Sequence, residues 1–482
     1  MKGEVVIGLE VHVELNTATK LFCSCSTQGD ETLEKQSFSG HKKSNKFFSE
    51  PNTRTCPVCL GHPGSKPVVN KKAIEHAIKL AIALNCKISK QVIFSRKNYF
   101  YPDLAKNYQI TQYEVPIGSN GYIEVAGKKI NLKRIHIEED PASMIHPGGI
   151  AKANYVLVDY NRSGNPLVEI VTEPDMISPE EAREFLKTLI TLLQYLNVFD
   201  PSKNIMKADA IISIKKTVYK RADIKNITGF REIEKALQYE IKRQNHEGIK
   251  SQETRAWDAE KGITQLLRKK ETDEDYGYIF DPDLVPIDIT PDMIKQLKKE
   301  IPELPCEKYK RYVKEYKLSN DDALILSGEF SLTQIFEKAV KKVDAVLAAK
   351  WIRMELMRVL NYNNIDVSDM KINHEQFVMF LFMLEKKKIT DATAQKILER
   401  LVVEDIDVES YVKKQKLGTV SDINVIEKYC KESIAENPQA VEDYKSGKEI
   451  ALNFILGSVM RKSGGKADPK KVKDMLKKLI KS

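Results

Sequence analysis

No stretch of about 18 consecutive apolar residues occurs in these 482 residues, and the start has no charged segment leading into an apolar run and a small-residue cleavage site. Those absences exclude a membrane-spanning helix and a secretory leader, so a cytoplasmic protein is expected. Glycine-loop signatures are missing as well: there is no Gly-x-x-x-x-Gly-Lys-Ser/Thr, no Gly-x-Gly-x-x-Gly and no Gly-x-Ser-x-Gly. Any nucleotide must then be held by metal and by basic side chains on strands. Internal repeats and low-complexity tracts are absent too. Cysteine is scarce, seven in all, and without export signals its close pairs argue for metal rather than disulfides.

What is present is a chain large enough for roughly two to four domains, 42% hydrophobic. Lys and Arg number 77 against 68 Asp and Glu, a formal charge of +9. The excess is concentrated at one end: residues 461–482 hold nine Lys or Arg against two Asp. A polyanion such as RNA fits that end, the alternative being a solvated helix face.

Up to about residue 290 short β-like runs dominate: Glu4 to Leu15, Val92 to Phe94, Tyr122 to Val125, Lys129 to Glu138, Ala153 to Asp159, Pro166 to Thr172 and Ala210 to Ile214. Helical patterns interrupt them at Lys71 to Leu84, Pro179 to Leu196 and Phe230 to Glu247, the second opened by Ser178 as N-cap, Pro179 and two acids. Because strands and helices do not alternate regularly, an α+β class with mainly antiparallel pairing is expected. Asp281-Pro-Asp-Leu-Val-Pro-Ile287 reads as an extended linker. Beyond it 3.6-residue periodicity takes over, as in Leu347, Trp351 and Met354 or Phe377, Phe380, Leu381 and Leu384. Asn437-Pro438, Gly447, Gly464-Gly465 and Asp468-Pro469 punctuate a final set of short helices. The expected domains are 1–292, 293–407 and a basic helical tail, 408–482.

Chemistry-bearing residues fall into three groups. Gly8-Leu-Glu-Val-His-Val-Glu14 places Glu10, His12 and Glu14 on one strand face, ~7 Å apart; they form either a wetted face or part of a cation site. Further acids stand at His136-Ile-Glu138-Glu139-Asp140, and Glu169 lies inside an apolar run where a lone carboxylate is costly without a cation or an Arg/Lys partner. Oxygen and single-imidazole ligands suit Mg²⁺ or Mn²⁺. Glu14 is expected to be the solvated member of its face. Cys23-x-Cys25 and Cys56-x-x-Cys59 match a closed, structural tetrahedral zinc site pinning the loops with Phe47, Phe48 and Pro51 to Arg54, against free buried cysteines. Arg96 to Gln112 mixes bases, tyrosines and amides, fitting phosphate contacts and stacking or mere packing.

Taken together, Val6 to Leu15, Arg96-Lys-Asn-Tyr-Phe-Tyr-Pro102, Glu138-Glu-Asp140, Pro166 to Pro174, Gln252-Glu-Thr-Arg255 and Asp281-Pro-Asp-Leu284 resemble the GatB family of aspartyl/glutamyl-tRNA amidotransferase components. The likeness continues through Ala440 to Tyr444, Gly447-Lys448, Gly457 and Met460. It implies a cradle domain of the glutamine synthetase and guanido-kinase type, followed by helical and tail domains. It implies an ATP-dependent ligase that phosphorylates the side-chain carboxylate of Glu-tRNA(Gln), Asp-tRNA(Asn) or both, then amidates it with ammonia from the GatA amidase, braced by GatC. By resemblance His12, Glu139 and Glu169 would ligate Mg²⁺ with Glu10 and Glu138 beside them, and Arg96, Lys97 and Lys106 would contact phosphate. The chain departs from the family pattern at Asn204-Ile-Met-Lys207-Ala-Asp209-Ala-Ile211, where a serine and an arginine are lost, and at Gly277. The rival reading is a non-catalytic adaptor that only delivers tRNA.

Overall fold

A computed structural model describes residues 4–29, 50–147, 153–269, 277–415, 417–418, 423–464 and 467–481. Phe47, Phe48, Lys466 and Asp275 lie outside the described residues. Two compact units divide the chain, Met1–Leu304 and Pro305–Ser482.

The first unit is α+β. Its nine-stranded sheet runs, edge to edge, Ile263–Lys269, Glu253–Asp258, Arg221–Thr228, Met206–Ile214, Val5–Glu14, Pro166–Thr172, Lys128–Glu139, Gly118–Val125 and Lys87–Ile88. All neighbours are antiparallel except Arg221–Thr228 with Glu253–Asp258. Alternation along the central strand buries Ile7, Leu9, Val11 and Val13 in one core with Ala77, Ile78, Phe185, Leu189, Ile233 and Leu237 of the helices Lys71–Ala83, Pro179–Tyr195 and Phe230–Glu247. Helices thus cover one face, and the even-numbered polar residues of the same strand occupy the other. The Ser178 hydroxyl accepts from the Glu181 N–H, the cap its sequence predicts.

A second, three-stranded sheet orders Gly277–Phe280, Ser95–Asn98 and Tyr108–Thr111. The segment read as a free linker belongs to this unit instead. Asp281 is buried and accepts from Arg96 Nε at 2.8 Å, Leu284 enters the core, and Ile287 pairs with Val92. Prolines kept the segment extended, but an extended chain can also add to a sheet. The helix Pro291–Glu300, capped by Thr290, likewise packs here through Leu297.

Charged residues obscured the strands at one edge of the large sheet. Arg255 of the Gln252-Glu-Thr-Arg255 motif is buried, donating to Thr264 Oγ1 at 2.8 Å, to the Thr264 carbonyl at 2.9 Å and to Glu253 at 2.9 Å. Beside it Glu240 is fully buried and accepts from Arg243 at 2.6 Å. Its carboxylate is tolerated there only because two guanidiniums and two neutral donors satisfy it.

In the second unit, Phe377, Phe380, Leu381 and Leu384 join a core with Trp351 and Leu356, while Ile426, Leu452, Val472 and Leu476 form a separate one. Met354, expected inside, is 53% exposed. Residues Trp351–Leu356 form a π turn, which widens the helix and rotates Met354 outward while Ile352 and Leu356 face inward. The last helix, Pro469–Lys481, buries Val472, Leu476 and Ile480. No helix among the described residues is long and apolar enough to cross a membrane.

Candidate functional site

Strand register builds the acidic cluster. His12 pairs with Glu169 across to Pro166–Thr172, and Glu169 in turn pairs with His136 on Lys128–Glu139, so three side chains form one row over three adjacent strands. Glu138, two residues beyond His136, joins them from the same face. His12 Nε2 lies 3.3 Å from Glu169 and 3.7 Å from Glu138, and His136 Nε2 lies 3.3 Å from Glu169. Ligand atoms of His12, Glu138 and Glu169 all fall within 4.8 Å of one another.

Two carboxylates this close in a buried setting shift one another. Burial, then the like charge of Glu169, raises Glu138 above the usual carboxylate range, against the pull of His12, His136 and Lys97. Burial would also raise Glu169, but His136 and His12 hold it well below that range. Burial alone would lower His12; the hydrogen bond and charge of Glu169, with Glu138 and Asp209 behind, carry it to about 9. The face therefore holds one firm anion against an imidazolium, a site that a divalent cation fits by taking the proton's place.

Several expected site residues lie elsewhere. Glu139, named as a cation ligand, is one residue on and turns the other way: Lys106 Nζ reaches its two oxygens at 2.5 and 2.7 Å and the Ile110 N–H donates at 2.8 Å. Lys106 is thereby occupied rather than set for phosphate. Arg96 is occupied too, bonded to Asp281 and to Asp283 at 3.1 Å and lying over the Tyr108 ring. Lys97, on the opposite face of that strand, is cross-strand from Tyr278 and acts on Glu138. Tyr278 stacks on Tyr113 with centroids 3.8 Å apart, and both Glu138 and Glu169 act on it. Glu10 shares the face of His12 but faces Lys225, which is 3.5 Å away and bonds Asp209 at 2.7 Å.

Glu14 is not solvated. It is 6% exposed, accepting from Asn165 Nδ2 at 2.5 Å and the Ile205 N–H at 3.0 Å. Burial, then Asp140, pushes its pKa up from 4.5 to about 7, against those donors and Arg162. At the departure from the family pattern, Lys207 pairs with His12 across Met206–Ile214. At Gly277 a side chain would meet nothing nearer than Asn98 Cβ at 4.0 Å.

The four thiols of Cys23, Cys25, Cys56 and Cys59 also lie within 4.8 Å of one another. Cys56 and Cys59 Sγ are 3.9 Å apart, and an edge of a tetrahedron with ~2.3 Å Zn–S bonds measures about 3.8 Å. The donor set and spacing fit zinc. The Cys56 N–H donates to Cys59 Sγ at 3.1 Å. A hydrogen bond from Cys23, opposed by burial and aided by that N–H and Lys20, lowers Cys59 to about 4.

Lys20 was missed in the sequence. Its side chain is fully buried, with Nζ held by the carbonyls of Arg54 at 2.8 Å and Tyr160 at 3.2 Å. Cys59 supplies the negative charge for this buried ammonium. His136 was quoted but given no role, although its two-residue spacing from Glu138 signals a shared face.

Comparison with known proteins places these residues in a family context. The GatB/GatE catalytic domain matches residues 5–295 and the GatB domain matches residues 334–480. A protein of Thermodesulfovibrio yellowstonii, named as the GatB-type component of aspartyl/glutamyl-tRNA(Asn/Gln) amidotransferase, is 43% identical over 500 residues, covering 100% of both chains. Proteins of the same name from Carboxydothermus hydrogenoformans, 41% identical with 98% of each chain covered, and Caldicellulosiruptor saccharolyticus, 42% identical with 99% of each, are similar throughout.

Two outcomes follow from the two buried charges. The folded pKa of Glu14, about 7, exceeds the usual 4.5, so the stability linked to its proton is full at low pH and is lost as pH rises through 7. In urea unfolding from pH 4.5 to 8, wild type should lose on the order of 3 kcal/mol relative to Glu14→Gln; parallel pH curves would contradict this. With Lys20→Met, zinc transfer to a chelating dye should quicken by about 10-fold, and an unchanged rate would show that the ammonium does not balance the thiolates.

Proposed function

The chain belongs to the GatB family, and from that membership we propose that it is the GatB component of a tRNA-dependent amidotransferase. Its reaction is ATP-dependent phosphorylation of the side-chain carboxylate on Glu-tRNA(Gln), Asp-tRNA(Asn) or both, followed by amidation with ammonia. The amidase GatA and the small GatC are the partners this reading requires. The observation that carries it is the row His12, Glu169 and His136 with Glu138, set on the face of the sheet opposite the covering helices.

That layering also supports a cradle of the glutamine synthetase and guanido-kinase type for the first unit. The three domains are proposed as a catalytic unit, a helical middle and a tail for tRNA. The tail's basic end, nine Lys or Arg against two Asp in residues 461–482, suits the backbone of RNA.

His12, Glu138 and Glu169 would hold Mg²⁺, a hard cation suited to two carboxylates and one imidazole. When bound, it supplies neutralisation of the anionic oxygens that must meet in phosphoryl transfer. The chain's own residues prepare the rest. His136, buried against Glu169, fixes that carboxylate's orientation. Lys97 adds positive potential over the cluster. The Tyr113–Tyr278 pair walls one side and excludes water, which strengthens every charge interaction within. Glu10, paired with Lys225, contributes to the charge of the face without joining the triad. A structural zinc on the cysteine quartet would tie residues 23–25 to 56–59.

In the complex assembled with its amidase partner, phosphate release from ATP should depend on Glu-tRNA(Gln) or Asp-tRNA(Asn). His12→Ala and Glu169→Ala should each slow it about 100-fold or more. Wild-type release by both variants would sink the assignment of this face.

A further inference from the structure

Arg134 stands out among the described residues of the acidic face as a cation whose charge the protein has not used up by hydrogen bonding. It lies on Lys128–Glu139 two residues before His136 and four before Glu138, and so on their side of the strand. Register sets it opposite Val171, which is itself two residues from Glu169. Its Nη2 is 4.0 Å from Glu169 Oε1, beyond hydrogen-bonding distance. Its Nε is buried and has no hydrogen-bond partner, and the side chain as a whole is 34% exposed. It acts on Tyr278, which carries the stack over the cluster.

The contrast with the neighbouring cations sharpens the point. Arg96 is bonded to two aspartates, Lys106 holds both oxygens of Glu139, Lys225 bonds Asp209, and Arg162 pairs with Asp140 at 3.2 Å. A guanidinium carries five donors in a planar fork that matches a phosphoryl or carboxylate group two bonds at a time. Leaving such a fork at ion-pair distance, with a buried donor unsatisfied, is unfavourable unless an anion comes to it.

We infer that Arg134 receives the transferring phosphoryl group and stabilises the charge that gathers on it, an inference that rests on the phosphorylation reading above. A carboxylate oxygen of the charged amino acid attacks the γ-phosphorus, the bond to the β,γ-bridging oxygen breaks, and ADP leaves with that electron pair. The products are the acyl phosphate and ADP, and no proton moves in this step. Negative charge spreads over the peripheral phosphoryl oxygens as the bond breaks, and a forked donor beside the acid row meets it there. Lysine would bring the charge without the fork.

The test uses the assembled complex with ATP and Glu-tRNA(Gln) or Asp-tRNA(Asn). Arg134→Ala should lower kcat for phosphate release about 100-fold or more with KM for ATP within about threefold, and millimolar guanidinium should restore part of the loss. His12→Ala should show no such rescue. Arg134→Lys should remain near the level of Arg134→Ala. Arg134→Gln serves the same measurement should the alanine variant unfold. A kcat within about threefold of wild type, or a loss in a folded variant that guanidinium leaves untouched, overturns the inference. Absence of tRNA-dependent phosphate release in the wild-type complex would instead remove the phosphorylation reading, and this inference with it.

Discussion

The register of Val5–Glu14 between its two neighbours is the constraint from which the rest follows. A strand with one face in the core cannot slip by a single residue, because slipping would carry Glu10, His12 and Glu14 beneath the helices and Leu9, Val11 and Val13 out of them. Hydrophobic burial on the odd side therefore fixes polar geometry on the even side. The same locking extends outward through Pro166–Thr172 to Lys128–Glu139, which is why His12 and His136, far apart in sequence, share one row.

That row concentrates more negative charge than a low-dielectric face tolerates by itself, and the surroundings are arranged to offset it. Arg162, Lys225, Lys106 and Arg96 are each matched to a particular carboxylate around the cluster. Within the cluster the closest partners of Glu138 and Glu169 are imidazoles, groups that give up a proton readily when a metal competes for the nitrogen. The thiol quartet poses the opposite balance, with the Lys20 ammonium buried beside sulfur ligands. In both places the fold supplies a charge whose natural complement is an ion.

Much of this was legible in the sequence. Alternation located the strand face of His12, proline and serine located the helix Pro179–Tyr195, and spacing brought the cysteine pairs together. What escaped has physical reasons. Glu139 was favoured over Glu138 by family resemblance, although the two-residue period already set Glu138 with His136. Glu14 read as solvated because alternation gives a face but not what covers it, and Asn165 comes from another loop. The occupancy of Arg96 and Lys106 depends on Asp281 and Glu139, brought up by tertiary folding. Arg221–Thr228, Glu253–Asp258 and Ile263–Lys269 were hidden because ion pairs, rather than apolar alternation, fill their positions. Met354 followed a 3.6-residue period that the π turn interrupts.

The choice between Glu138 and Glu139 tests the account most directly. Binding of Mn²⁺ to the full chain can be followed by the loss of the free-ion EPR signal, in Glu138→Gln and in Glu139→Gln. The register predicts that Glu138→Gln weakens binding by about 10-fold or more, while Glu139→Gln binds as wild type. Loss of binding in Glu139→Gln with Glu138→Gln unaffected would contradict the site built here from strand register.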